Sequence, residues 1–290
     1  MQVYLSLLRV QSWIKNLFLL APLVFSFNLF NTELYPMVLK AFLAFCFLSS
    51  SVYVFNDLLD VEQDKLHPRK KMRALPAGKI TKPQAIILGL ICLVLSATLT
   101  WLVNSTQFMY ALMTYLGINI VYVLKIKHVA IADCFSIAAG FVIRVLAGCY
   151  AIHVIPSDWI VVVTFFLALF LAFGKRKSEI LMLDAQAGNH RAALNGYNLQ
   201  TLDVYIYISA AISVTAYLMY TLTSTSLPQQ LHQPLKYSAF FVVFGLFRYI
   251  QLLNAKSATD ADPTVLVYKD KMLQVTLVLW AAYAVWVIYG

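Results

Sequence analysis

Charged residues are scarce in this 290-residue chain. Only 12% of the residues are Asp, Glu, Lys or Arg, whereas 61% are hydrophobic. Soluble globular domains carry about 25% charged residues. The shortage argues against a soluble protein, and with it against a nucleic-acid-binding fold. We interpret the chain as an integral membrane protein that forms a single domain over residues 1–290.

Cysteines are also few, and several common catalytic motifs are absent. The four cysteines lie inside or at the edges of apolar runs and form no CxxC pair: Cys46, Cys92, Cys134 and Cys149. We interpret them as small buried hydrophobic residues, neither disulfides nor metal ligands. The sequence contains no GxSxG, HExxH, Walker-type or GxGxxG pattern. Serine-triad acyl transfer, zinc hydrolysis and soluble nucleotide binding therefore have no support.

Long apolar runs dominate what is present. A transmembrane helix needs about 20 mostly apolar residues, and the runs predict nine spans, at about 14–31, 36–57, 83–103, 107–125, 130–152, 157–176, 201–222, 236–254 and 271–289. The first run follows Arg9 and Lys15 without a small-residue cleavage site, which favours a retained span over a removed signal peptide. The predicted fold class is an all-α membrane bundle.

The basic residues are unevenly distributed over the predicted loops. Nineteen of the 22 lie on one side, Lys40 and Lys236 lie on the other, and Arg144 lies within a span. Lys and Arg accumulate in cytoplasmic loops, so we predict that the N-terminus and the basic side face the cytoplasm. The expected location is a bacterial-type plasma membrane, with part of the +9 charge against anionic headgroups.

Four of the thirteen acidic residues cluster directly after the second predicted span. At about 100° per residue, Asp57, Asp60 and Asp64 fall within an arc of about 60°, with Asn56 at its edge, whereas Glu62 points to the opposite side. Carboxylates on one face repel each other unless a cation lies among them, and Mg²⁺ takes oxygen ligands that it shares with substrate phosphates. We predict a Mg²⁺ site on Asp57 and Asp60; the alternative is a solvated helix end.

A basic segment follows the acidic cluster. Guanidinium and ammonium groups beside carboxylate-bound Mg²⁺ are suited to binding a diphosphate and stabilising its departure. Arg69, Lys70 and Arg73 are the candidates for phosphate contacts. Lys71 and Lys79 are explained equally well as charges that orient the chain in the membrane.

Further charged residues are candidates with a structural alternative. Lys15 stands beside Trp13 and is either a phosphate contact or an interfacial lysine. Lys125 and Lys127 are either substrate contacts or orientation charges. Asp133 and Arg144 lie eleven residues apart on one predicted span and should point to the same interior, to bind a ligand or to pair with neighbouring helices.

The sixth predicted span ends in a cationic cluster, Lys175-Arg176-Lys177, followed by Glu179. Lys175 and Glu179 are four residues apart and share a helix face. A cationic helix end is ordinary at the cytoplasmic side. It is equally suited to meeting a second phosphate.

These features together resemble the UbiA-type intramembrane prenyltransferase superfamily, over nearly the whole chain. The resemblance rests on the nine spans, on the NDxxDxxxD pattern at residues 56–64 and on the basic loop after it. Within the superfamily, the chain most resembles the decaprenyl-phosphate phosphoribosyltransferase branch. The residues that carry this second resemblance are Arg9 and Gln11, Trp13 to Asn16, Asn56 to Asp60, His67-Pro68, Ala77-Gly78, and Gly174 to Arg176 with Glu179.

The resemblance implies a Mg²⁺-dependent phosphoribosyltransferase with Asn56, Asp57 and Asp60 in catalysis. Phosphoribosyl diphosphate would be the donor and a long polyprenyl phosphate the acceptor. Typical members carry a second aspartate-rich motif near the end of span six. This chain has Lys175 to Glu179 there, which suits a donor with a separate phosphate. The resemblance also allows a homo-oligomer and a role in cell wall biosynthesis.

Two alternatives follow from the same residues. An aromatic-substrate prenyltransferase that uses a prenyl diphosphate would share the fold, but the missing second aspartate motif argues against it. A non-enzymatic lipid transporter should show internal repeats and Gly- or Pro-broken spans near the membrane centre. The sequence shows no convincing repeat, and its charged groups gather at the cytoplasmic end.

Overall fold

The computed structural model describes residues 2–66, 70–183, 192–254 and 263–290. The structure of these residues is almost entirely helical. The α-helices in chain order are α1 (Gln2–Leu7), α2 (Ala21–Phe25), α3 (Tyr35–Leu59), α4 (Val61–Leu66), α5 (Lys82–Val103), α6 (Thr106–Leu124), α7 (Ala132–Ala151), α8 (Asp158–Leu183), α9 (Leu199–Thr223), α10 (Gln229–Leu235), α11 (Ala239–Asn254), α12 (Pro263–Lys269) and α13 (Lys271–Tyr289).

Several long helices begin at polar capping residues. Thr81 precedes α5 and forms a reciprocal capping box with Gln84. Ser105, Asn198 and Asp270 cap α6, α9 and α13 by accepting a hydrogen bond from a backbone N–H of the first turn. Such caps satisfy donors that have no partner inside the helix. The helix starts are therefore encoded locally, between apolar runs.

Eight helical segments in the described residues are long and apolar enough to cross a membrane. They are Thr32–Leu59, Lys82–Val103, Thr106–Leu124, Ala132–Ala151, Asp158–Leu181, Leu199–Thr223, Gln229–Asn254 and Lys271–Tyr289. Each overlaps one of the predicted spans. The prediction of an all-helical, multi-pass membrane protein is thus confirmed.

The first predicted span, about 14–31, takes a different form. The chain there is a 3₁₀-helix, Val10–Leu20, followed directly by α2. Asn16 is buried and donates to Sγ of Cys46 at 3.2 Å, which ties the 3₁₀-helix to α3. A 3₁₀-helix rises about 2.0 Å per residue, so this stretch extends roughly 30 Å, comparable with the hydrocarbon core of a bilayer. Val10–Phe25 is apolar but shorter than the eight candidate spans.

The described chain forms two compact units. The first comprises Met1–Leu23, Asn28–Lys125 and Ile143–Ile155. Phe45 and Phe108 lie fully buried in its largest core cluster. A Cβ atom at Gly148 would lie 2.0 Å from the carbonyl oxygen of Leu19. Glycine at this position therefore permits a backbone approach that a larger residue would block.

The second unit comprises Val24–Phe27, Ile126–Val142 and Pro156–Gly290. Its core cluster includes Phe170, Leu202 and Leu253, each at most 2% exposed. The four cysteines of the chain are all buried and unbridged. This confirms their interpretation as small apolar residues.

Candidate functional site

The acidic cluster lies where α3 gives way to α4, within the first unit. Asp60 is the C-cap of α3 with φ −93° and ψ 3°, and α4 begins at the next residue. The backbone N–H of Asp64 donates to the carbonyl oxygen of Asp60 at 2.8 Å, so the chain keeps a nearly helical register across the break. Asp57 and Asp64 therefore come to the same side, and they are only 3% and 2% exposed.

One guanidinium joins these two buried carboxylates. Nη1 of Arg73 lies 3.2 Å from Oδ1 of Asp57 and 2.7 Å from Oδ2 of Asp64. Nζ of Lys70 lies 3.6 Å from the other oxygen of Asp64. The clustered carboxylates therefore have cations near them without a metal ion, because the basic segment supplies Arg73 and Lys70.

Arg9 is a member of the cluster that the site prediction missed. Its Nη2 donates to Oδ1 of Asp57, and its guanidinium lies 4.9 Å above the ring centroid of Tyr53. Arg9 has a left-handed backbone, φ 49° and ψ 46°, directly before the 3₁₀-helix. The two charges are 48 positions apart in the chain, so no spacing rule links them. The available signal was that Arg9 opens the segment that carries the family resemblance.

Glu62 lies apart from this cluster. It is exposed, and its carboxylate accepts a hydrogen bond from Lys65 at 2.9 Å. That hydrogen bond holds the pKa of Glu62 below its usual value. The helical projection that separated Glu62 from Asp57 and Asp64 agrees with this geometry.

The carboxylates fit Mg²⁺ only if further ligands complete its shell. Within the described ranges, no group of three or more His, Cys, Asp and Glu side chains could hold a metal ion. Mg²⁺ is often bound by one or two carboxylates together with water and substrate phosphates. Asp57 and Asp64 supply hard oxygens for that mode. The sequence prediction paired Asp57 with Asp60, whereas the structure joins Asp57 with Asp64 through Arg73; Asp60 and Asn56 are half-buried nearby in the chain.

The predicted cationic cluster of α8 is largely paired with acids. Arg176 is 1% exposed, and its Nε donates to Oδ2 of Asp133 at 2.8 Å. Arg176 also pairs with Glu179, and the hydroxyl of Tyr197 donates to the second oxygen of Asp133 at 2.8 Å. Burial, followed by the neighbouring Cys134, raises the pKa of Tyr197, so this hydroxyl keeps its proton. The buried carboxylate of Asp133 thus has partners on both oxygens.

Lys177 is itself buried and belongs to a second paired group in the same unit. Its Nζ donates to Oδ1 of Asp203 and to the side-chain oxygen of Asn254. Asp203 neutralises one of the three cations that the sequence predicted as a phosphate-binding cluster. Lys175 is half-buried, and its role as a phosphate contact stays a prediction.

Arg144 has partners within the first unit. Its Nε donates to Oδ1 of Asn16 at 2.8 Å, and its Nη2 donates to the hydroxyl of Tyr115 at 3.1 Å. Its guanidinium also lies within 5.2 Å of the ring centroids of Phe45 and Tyr115. These contacts favour the helix-pairing interpretation of Arg144, and its substrate role stays a prediction.

The remaining predicted site residues are peripheral in the structure or lie outside it. Lys15 is half-buried on the 3₁₀-helix Val10–Leu20, Lys125 is exposed at the C-cap of α6, and Lys127 is half-buried in the turn that follows. Arg69 lies outside the described residues.

Comparisons with known proteins identify the family and the fold. A family model described as the UbiA prenyltransferase family matches residues 17–275. A decaprenyl-phosphate phosphoribosyltransferase of Mycolicibacterium smegmatis is 28% identical over 280 residues, 94% of this chain and 88% of that protein. The protein of the same name from Corynebacterium glutamicum is 28% identical over 285 residues, 97% and 85% of the two chains.

A solved structure shares the fold over its full length. It is a UbiA homologue from Archaeoglobus fulgidus bound to GPP and Mg²⁺, with a TM-score of 0.76 at 20% identity. The match covers 99% of this chain and 100% of that chain. At this identity the likeness shows the fold alone.

Proposed function

The chain belongs to the UbiA prenyltransferase family, and we propose that it transfers a 5-phosphoribosyl group from phosphoribosyl diphosphate to a long-chain polyprenyl phosphate. The observation that carries the proposal is the buried pair Asp57 and Asp64 with Arg9, Lys70 and Arg73 around it. Carboxylates for Mg²⁺ beside cations for phosphate oxygens are the groups that a departing diphosphate requires. The near full-length similarity to two decaprenyl-phosphate phosphoribosyltransferases supports the choice of donor and acceptor.

The proposed reaction exchanges one bond at C1 of the ribose. The bond from C1 to the diphosphate oxygen breaks, and a bond from C1 to a phosphate oxygen of the lipid forms. The lipid phosphate is already anionic, so no general base is required. Positive charge develops on the ribose and negative charge on the diphosphate, and leaving-group stabilisation should therefore carry most of the catalysis.

Each charged side chain of the cluster has a defined part. Asp57 and Asp64 would hold Mg²⁺, with Asp60 and Asn56 as adjacent oxygen donors. When bound, the metal neutralises charge on the leaving diphosphate. Arg73 and Lys70 would contact phosphate oxygens from the basic segment, and their side chains are 34% and 36% exposed. Arg9 donates to Asp57 and holds its carboxylate in position.

The proposed location is a bacterial-type plasma membrane, with the acidic cluster at the cytoplasmic face. The support is the one-sided distribution of Lys and Arg over the loops. Phosphoribosyl diphosphate is a water-soluble anion, which agrees with a site on the side where the basic residues gather.

A comparison of two ligands tests the donor assignment. Phosphoribosyl diphosphate and inorganic diphosphate differ by the ribose with its 5-phosphate, and both can be titrated calorimetrically into the purified protein with Mg²⁺. We expect phosphoribosyl diphosphate to bind at least about tenfold more tightly, because one further contact to a charged group contributes about 1.5–3 kcal/mol.

Variants locate the source of this preference. If Lys175 contacts the 5-phosphate, as the sequence predicts, Lys175→Ala lowers the affinity for phosphoribosyl diphosphate and leaves that for diphosphate unchanged. Lys71→Ala removes an exposed charge from the basic segment and should alter neither. Equal affinities of the unmodified protein for the two ligands would contradict the proposed donor.

A further inference from the structure

The Asp57–Asp64 pair holds the cationic side chain of Arg73. A single nitrogen, Nη1 of Arg73, lies within 3.2 Å of one oxygen from each carboxylate. This is the position that one cation shared by both carboxylates would take. Arg73 therefore occupies the place where a bridging metal ion would gain most from the two charges.

The members of the cluster differ in how readily they can move. Asp57 and Asp64 are nearly fully buried, on helices α3 and α4, whereas the side chain of Arg73 is 34% exposed. Arg73 follows the short 3₁₀-turn Lys70–Met72, which is itself exposed or half-buried. The side chain of Arg73 can turn toward solvent without exposing buried residues. The carboxylates of Asp57 and Asp64 cannot, because they are buried.

The charges around the pair oppose a bare metal ion. Among the described residues, three cations contact the two carboxylates: Arg9, Lys70 and Arg73. These contacts therefore carry a positive excess. A divalent cation entering alone would add to that excess and would have to displace Arg73 without offering it a new anion. A diphosphate that arrives with the metal reverses the balance, since its oxygens are acceptors for the released guanidinium.

We propose that Arg73 is a resident counter-ion of the Asp57–Asp64 pair, which a divalent metal replaces only when a diphosphate arrives with it and takes over the arginine. Metal and diphosphate then bind with strong mutual enhancement. The inference depends on the proposed function only in that the site takes a metal diphosphate. It holds equally for a prenyl diphosphate, so failure of the donor assignment leaves it standing.

Manganese binding measures this enhancement without any turnover. Free Mn²⁺ is counted from its electron paramagnetic resonance signal in the presence of the purified full-length protein, with and without inorganic diphosphate; matched samples without protein correct for Mn²⁺ held by diphosphate itself. For the unmodified protein we expect protein-bound Mn²⁺ to be weak alone and at least about tenfold tighter with diphosphate, since a like charge at contact distance changes affinity by that much or more.

Arg73→Gln is the decisive variant. Without the guanidinium, Mn²⁺ alone should bind at least about tenfold more tightly than to the unmodified protein, and the enhancement by diphosphate should shrink to about threefold or less. Lys71→Gln changes the net charge equally from an exposed position in the same turn, and it should leave both quantities unchanged.

Two results would overturn the proposal. One is an Arg73→Gln protein that binds Mn²⁺ no more tightly than the unmodified protein. The other is diphosphate enhancement that survives this substitution. If Arg73→Gln does not yield folded protein, Arg73→Lys decides in its place. The lysine side chain is shorter, so its ammonium falls short of the position that Nη1 of Arg73 takes between the two carboxylates. Mn²⁺ alone should therefore bind between about two- and tenfold more tightly, and an unchanged affinity counts against the proposal.

Discussion

Buried carboxylates define the chemistry of this protein at the scale of single residues. An ionised Asp is stable at 2–3% exposure only when charged or hydrogen-bonding partners surround it. Asp57 and Asp64 have Arg9, Lys70 and Arg73, whereas Asp133 has Arg176 and Tyr197. The first set keeps two half-exposed cations that can turn to a ligand. In the second set both charged groups, Asp133 and Arg176, are buried, which favours a structural role for that set.

The first prediction separates the acidic residues by substitution. Asp57→Asn and Asp64→Asn each remove a charge that the proposed metal diphosphate needs, and each should lower turnover by about 100-fold or more. Glu62→Gln is the matched control, because Glu62 is exposed and pairs only locally with Lys65. It should change turnover by less than about threefold.

Asp60→Asn distinguishes the metal pair predicted from the sequence, Asp57 and Asp60, from the proposed pair, Asp57 and Asp64. If Asp60→Asn lowers turnover as much as Asp57→Asn does, and the Asp64→Asn protein stays active, the metal pair is Asp57 and Asp60, as the sequence predicts. Equal losses in all variants, including Glu62→Gln, would contradict the separation of faces altogether.

The second prediction concerns Arg144. Arg144→Met leaves the buried oxygens of Asn16 and Tyr115 without the donors seen in the structure, which should cost about 1–3 kcal/mol of stability. The thermal midpoint in detergent should fall, while the activity per folded molecule is kept. An unchanged thermal midpoint with lost activity would instead indicate that Arg144 contacts the substrate.

The residue types in the site could be predicted, but their partners could not. Helical periodicity predicts that Asp57 and Asp64 share a face, because it depends only on residues that are close in sequence. Arg9 meets Asp57 across 48 positions, and Lys177 meets Asn254 across 77. Such pairings depend on how helices pack, which no local pattern encodes. The acidic partners of the cations on α8 could not be predicted for the same reason: Asp133, which pairs with Arg176, and Asp203, which pairs with Lys177, come from other helices.

The lengths of the helices follow directly from the apolar runs. Eight of the predicted spans are present because a run of about 20 apolar residues allows few other structures in a membrane. The first departs because Asn16 and Trp13 bond to side chains of α3. Those contacts hold the segment close to α3 as a 3₁₀-helix, a form that hydropathy does not distinguish from an α-helix.

The third prediction tests a close approach between two elements. Gly148→Ala places a methyl group 2.0 Å from the carbonyl oxygen of Leu19, so α7 or the 3₁₀-helix must shift. Overpacking of this kind costs about 1–3 kcal/mol, and the thermal midpoint should fall. Gly117→Ala on α6 is the matched control, because its new methyl group meets nothing within 4 Å.

The expected effects of the two alanines are opposite in sign. Alanine at an exposed helix position is more favourable than glycine by up to about 1 kcal/mol, so Gly117→Ala should leave the midpoint unchanged or raise it. A Gly148→Ala protein as stable as the unmodified one would show that the 3₁₀-helix does not pack closely against α7.

For the whole molecule, the charge distribution predicts the orientation. The fourth prediction places Lys79 in the cytoplasm and Gln229 outside, since they lie at opposite ends of the predicted topology. Single cysteines at these exposed positions should react with a membrane-impermeant thiol reagent from opposite sides of the membrane. The four native cysteines are buried and give a low background. Labelling of both positions from one side would contradict the topology.

The central claim is the identity of the transferred group, and one measurement tests it directly. The purified protein is incubated with Mg²⁺, a long-chain polyprenyl phosphate and phosphoribosyl diphosphate labelled in the ribose. We predict that the label enters an organic-soluble product while diphosphate is released, and that Asp57→Asn abolishes both. If the protein instead ignores phosphoribosyl diphosphate and transfers a prenyl group from a prenyl diphosphate to an aromatic acid, the phosphoribosyltransferase assignment is contradicted.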